Sequence, residues 1–124
     1  RSYLENALIN EVLRATGYTA PSTVYVALFT SDPTDAGSGT ECSGTSYARQ
    51  SATFAAPSNG ASSTSADINF PQAGGSWGTI THFGIFDALT TGNLLVHGAL
   101  TTSKTIDTGD VFKIASGSLT VTFA

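Results

Sequence analysis

WGTITHFGIFDALTTGNLLVHGAL, residues Trp77 to Leu100, reads as two long apolar strands joined by one tight turn. Between Thr79 and Asp87 the residues Ile80, Phe83, Ile85 and Phe86 fall on both faces of an extended segment. That pattern suits a strand covered on both sides rather than one with a wet face. Thr90-Thr91-Gly92-Asn93 then supplies small polar residues and a glycine able to take positive φ, before Leu94, Leu95 and Val96 resume the apolar run. The pair is expected to form an antiparallel hairpin at the centre of the molecule.

Working outward toward the N-terminus, Thr23 to Thr30 (TVYVALFT) is dense in β-branched and aromatic residues and is also expected as a central strand. Ahead of it, Ser2-Tyr3-Leu4-Glu5 matches the capping box. Leu4, Leu8 and Val12 repeat at helical spacing with Ala7 and Ile9 beside them, so residues 2–13 are expected as one amphipathic helix, closed by Thr16-Gly17. Its apolar stripe suits packing on the chain's own sheet, docking of another subunit, or both. Between the two predicted strands, Ser31 to Ser46 (SDPTDAGSGTECSGTS) has no apolar periodicity and reads as a long exposed loop, of the kind that contacts a partner.

Tyr47 to Phe54 returns to a strand pattern, with Arg49 and Gln50 expected at an edge or facing solvent. Pro57-Ser58-Asn59-Gly60 signals a turn. Ala66 to Phe70 reads as a short strand with Ile68 and Phe70 on one face, ended by Pro71. After the hairpin, Thr101–Ile106, Val111–Ala115 and Leu119–Phe123, separated by Asp107–Asp110 and Ser116–Ser118, are expected as a terminal meander. The total is all-β: a jelly-roll-like antiparallel β-sandwich of about eight strands with one short N-terminal helix, a single domain over residues 1–124.

Composition bounds the function. The chain has 124 residues, enough for one core that buries roughly two-thirds of the unfolded surface. Only 11% of residues are charged and the net charge is −4. The five basic residues form no run, so nucleic acid is not expected as a partner. One cysteine, Cys42, forbids an intrachain disulfide and cannot alone build a zinc site. No apolar stretch reaches the length of a membrane span and no signal peptide is visible, so a soluble chain without membrane contact is expected.

Catalytic patterns fail on context. Gly74-Gly75-Ser76-Trp77-Gly78 fits G-x-S-x-G, with Asp87 and His97 following in α/β-hydrolase order, but that motif needs a strand-to-helix turn and here a strand follows. His82 and His97, neighbours across the expected hairpin, lack further metal ligands at suitable spacing. Asp32, Asp35 and Glu41 lack the alternate-position acids of a calcium loop. No cofactor and no enzymatic activity are expected. Trp77, in its glycine loop, is the one aromatic with a chance of display for sugar stacking; the competing reading packs it over the end of the sandwich.

Five strings occur in fixed order: SYLENALIN, VYVALFTSDPTDAGSGTE, YARQSATF, APSNG, and WGTITHFGIFDALTTGNLLVHGALTTSKTIDTGDVF. Together they resemble a family of small tailed-bacteriophage virion proteins, often labelled tail-fibre proteins and similar to the capsid cement or decoration proteins on icosahedral heads. The resemblance implies a non-enzymatic building block on the capsid exterior, a symmetric dimer or trimer that bridges subunits of the major capsid protein. The alternative it leaves open is a tail-fibre or receptor-binding domain recognising host glycans. Candidate partner contacts are Tyr3 and Leu4 in the segment from Arg1 to Leu8, Asp32, Asp35 and Glu41 in the long loop, and Trp77.

Overall fold

The computed structural model describes residues 2–123. Arg1, and the Ser2 side chain on which the expected capping box rests, lie outside the described residues. Helix α1 (Ser2–Arg14) is followed by eight strands: β1 (Val24–Phe29), β2 (Gln50–Ala52), β3 (Ala61–Ser63), β4 (Ile68–Asn69), β5 (Gly78–Phe86), β6 (Leu94–Ile106), β7 (Lys113–Ile114) and β8 (Thr120–Thr122). All pairings are antiparallel, in one four-stranded sheet of order β2-β1-β5-β6 and two ribbons, β3-β8 and β4-β7. The all-β class with one N-terminal helix is therefore as expected. The strands divide four, two and two, rather than into the two matched sheets of a jelly roll.

The two runs that read as apolar on both faces take the two inner positions of the sheet, β1 and β5. From β1, Val26 and Leu28 enter the main core with Ile80, Ile85 and Val96, closed on the far side by Ile68, Phe70, Ile114 and Leu119 from the ribbons and their flanks. The alternate residues Ala27 and Phe29 join Phe86 and Leu94 in a second, smaller cluster on the opposite face. A strand that serves two cores has no polar face to show, which is why its sequence does not alternate.

The hairpin forms, with differences. Its connection, from Asp87 to Asn93, is longer than the expected turn, and the Asp87 carboxylate holds it closed by accepting from the Asn93 backbone N–H (2.7 Å) and side-chain amide (3.0 Å). Thr91 and Gly92 take φ of 52° and 75°, so the glycine sits where positive φ is required. The strand after the turn does not stop at Leu100 but continues to Ile106, absorbing the separate strand expected over Thr101–Ile106. It does so through a wide bulge. Ala99 pairs with His82 and Lys104 with Ile80, which leaves Leu100 to Ser103 opposite Thr81 alone.

The terminal meander is also corrected. β7 pairs with β4 and β8 with β3, so the last two strands each find a partner some 45 to 60 residues upstream instead of each other. Two-residue and three-residue strands separated by Gly turns give the sequence no way to distinguish these pairings. The strand expected over Tyr47–Phe54 shortens to Gln50–Ala52, and Ala61–Ser63 adds a strand where none was expected. Asn59 and Gly60 (φ 53° and 76°) make the turn that bridges Ser58 to Ala61, and Ile68 and Phe70 are both buried with Asn69 exposed between them. Helix α1 runs one residue past the expected 13, to Arg14, and is closed by Ala15 at φ 53° rather than by Gly17, with Thr16 N–H donating to the Asn10 carbonyl.

Candidate partner-binding surface

The long loop is less free than its composition implies. Thr30 N–H donates to the Thr40 carbonyl and Cys42 N–H to the Leu28 carbonyl, so the loop leaves β1 and returns to lie along it. Pro33 and Cys42 are buried, and Gly39 packs so closely on the Asp32–Pro33 backbone that a Cβ there would stand 2.5 Å from the Asp32 carbonyl oxygen. Asp32 is used locally, its Oδ1 accepting from Thr34 N–H at 2.9 Å. The loop covers the second cluster: a Cβ on Gly37 would touch Leu94. Burial raises the Cys42 thiol, which therefore offers no ready thiolate.

Of the candidate contacts, Asp32 and Asp35 come together around His97. Asp35 Oδ1 lies 3.1 Å from His97 Nε2 and Asp32 Oδ1 lies 3.6 Å from Nδ1, with both acids mostly exposed. The hydrogen bond to His97 holds the Asp35 carboxyl below its ordinary range. His82 and His97 are diagonal rather than opposite, since their cross-strand partners are Ala99 and Gly84, and His82 Nδ1 is hydrogen-bonded to the Thr81 hydroxyl at 2.8 Å. Among the described residues no group of His, Cys, Asp and Glu is placed to hold a metal ion.

Glu41 belongs to a different assembly. Arg49, expected at the surface, is 8% exposed. Its Nε and Nη2 donate to Glu41 Oε2 and Oε1 (3.0 and 2.9 Å), its Nη1 donates to the Ala88 and Thr91 carbonyls (2.9 and 2.8 Å), and its guanidinium lies 3.8 Å from the centre of the Phe86 ring. The Tyr47 hydroxyl donates to Glu41 Oε2 (2.7 Å) and accepts from Leu28 N–H (3.0 Å). Burial, then the Glu41 hydrogen bond, pushes the Tyr47 phenol well above its usual value. Planar guanidinium geometry explains the correction: five fixed donors allow one side chain to tie the long loop to the β5–β6 turn under cover. Sequence offers little signal for it beyond an arginine and a tyrosine two apart in YARQ.

Trp77 is buried at 4% exposure, not displayed. Its indole N–H donates to the Thr45 carbonyl (2.9 Å) and its ring meets Tyr47 edge-on with centroids 5.4 Å apart. The burial of a large ring together with a satisfied donor favours this packing over a sugar platform. Tyr3 is exposed and meets Tyr18 edge-on, while Leu4 packs on the main core at the rim of an apolar groove of about 290 Å³ shared with Val24, Phe54, Val121 and Phe123. The opposite side of α1 leaves Ile9, Val12 and Leu13 exposed, the last two by about three-quarters.

The hydrolase triad does not assemble. Ser76 Oγ accepts from Gly78 N–H, Asp87 closes the hairpin turn and His97 faces Asp32 and Asp35. Ser76 precedes β5, whereas His97 pairs with Gly84 well along that strand. What the molecule presents is a set of surfaces: a pinned acidic loop, an exposed helix stripe and grooves beside short ribbons. A comparison with curated proteins finds no match. A family model described as Podophage GP4 fiber I protein gp80 matches residues 1–122. Because that match spans nearly the whole chain, the protein belongs to the podophage GP4 fiber I protein family, in keeping with its resemblance to small phage virion proteins.

Proposed function

We propose that the protein is a non-enzymatic structural subunit of a phage fibre, acting as a homo-oligomer. The observation that carries this reading is the family match over residues 1–122. The arrangement of side chains agrees with it. The acids, histidines and serine that suggested chemistry have local structural partners, whereas Ile9, Val12 and Leu13 form an apolar stripe at i, i+3 and i+4 on the outside of α1. A neighbouring copy covers this stripe in the proposed oligomer. Repetition then multiplies weak contacts through effective concentration, so a small domain holds its place without any single strong bond.

A second reading, decoration of the capsid through the major capsid protein, is favoured by a different observation. The chain has one main core and no fixed-period internal repeat, so it does not by itself build an extended repeat array. Such a unit also suits a node on a shell, where binding only the assembled lattice would stabilise it by mass action. Gold-labelled antibody against the protein, applied to intact virions, separates the two. Label confined to the tail region is expected; label spread over the head would replace the fibre reading with the decoration reading.

A further inference from the structure

The wide bulge in β6 has a chemical consequence. Because Leu100 to Ser103 depart from β5, a groove of about 620 Å³ opens between that segment and the stretch from Phe112 to Thr120. The volume is within the usual range of ligand sites. Its apolar part comes from Phe83, Leu100 and Phe112. Thr101, Thr102 and Ser118 also line it. Lys104 and Lys113 complete it, so two of the chain's five basic residues lie in one groove, lined by none of its nine acids among the described residues. Lys113 is offset by Asp67 at 3.3 Å, so the excess positive charge of the groove is that of Lys104.

We propose that this groove binds a segment of an acidic polysaccharide, with sugar carboxylates on Lys104 and Lys113, ring hydroxyls on the threonines and Ser118, and apolar sugar faces on Phe112 and Leu100. Each element matches one property of that ligand class: point charges for carboxylates, hydroxyls for a hydroxyl-rich chain, and ring surface for its C–H faces. An acidic peptide fits less well. A peptide laid on the edge of β6 needs an unbroken row of backbone partners, and the bulge interrupts that row where the groove lies. Lys113 is already within 3.3 Å of Asp67, at a half-exposed site, so Lys104 is the less encumbered of the two. That the natural occupant is a bacterial surface polymer rests on the fibre reading; the chemistry of the groove does not.

The test is an amide-resolved NMR titration of the soluble protein with a trimer of galacturonic acid, with maltotriose as the neutral control and hexaglutamate as the peptide control. Saturable shifts confined to Thr101, Thr102, Lys104, Phe112 and Lys113 are expected with the acidic sugar, weakened by added salt and much smaller with maltotriose. Lys104→Ala should weaken binding about tenfold, the loss of one charge-assisted contact, with the rest of the spectrum unchanged. Absence of saturable shifts at millimolar sugar would overturn the proposal, as would equal binding of maltotriose, shifts centred elsewhere, or tighter binding of hexaglutamate. None of these outcomes depends on where the protein sits in the virion, so the site and the fibre reading fail independently.

Discussion

Arg49 shows how much one residue can organise. It ties the long loop, through Glu41, to the end of β5 and the turn that follows it, through Phe86, Ala88 and Thr91, some 40 residues on. Removing one partner of a buried ion pair leaves the other charge desolvated, so Arg49→Ala should destabilise the fold by about 3 kcal/mol in urea unfolding. Replacing both Arg49 and Glu41 by apolar residues should recover part of that loss, because no charge is then stranded. Tyr47 gives a second test. Its folded phenol is raised, so the stability it contributes is complete below the unfolded tyrosine value of about 10 and is lost as pH climbs above it. In an alkaline absorbance titration one tyrosine should fail to ionise until the protein unfolds.

At the scale of elements, the central hairpin carries both cores and its glycines are steric requirements. A Cβ on Gly84 would stand 2.9 Å from Leu94 Cδ1 and 3.0 Å from Phe29 Cε1, against side chains of the tightly packed second cluster. Gly84→Ala should therefore cost about 1 to 3 kcal/mol of stability, read from the denaturation midpoint. The loop that covers this cluster should respond to acid. Asp35 is held below its ordinary carboxyl value by the His97 hydrogen bond, so its contribution is present above about pH 4 and is lost as pH falls through its lowered value. Resonances of the Asp32–Gly37 segment should shift in that acid range.

The same elements show what sequence could reveal. β1, β5 and the first half of β6 were legible because each carries a dense apolar run long enough to fix its type and burial, and α1 was legible as a helix from its i, i+4 spacing, though Ile9 and Val12 of its stripe stay exposed. The bulge at Leu100–Ser103 was not, since LTTS looks like any polar strand and nothing local tells it that only Thr81 lies opposite. Of the ribbon strands, β4, β7 and β8 fall inside expected strands but β3, in the polar tract before Ser65, was not legible, and neither pairing was, because pairing across so many residues is decided by the closed core. The candidate contacts divide similarly. Asp32 and Asp35 are exposed as an acidic loop suggests, whereas Glu41 and Trp77 are held by Arg49 and Thr45, groups far enough away that composition could not assign them.

At the scale of the whole molecule, a weakly charged all-β domain leaves one helix stripe uncovered. If a neighbouring copy covers it, Val12→Glu with Leu13→Glu should leave the monomer folded by circular dichroism and reduce the sedimenting mass to that of a single chain. An unchanged mass would place the subunit contact elsewhere. The central claim, that this is a fibre subunit, is tested most directly by a cryo-electron microscopy map of the virion in which the four-stranded sheet and its two ribbons can be recognised. Density for this fold in the fibres at the tail is the expected result; density repeated over the icosahedral shell would contradict it.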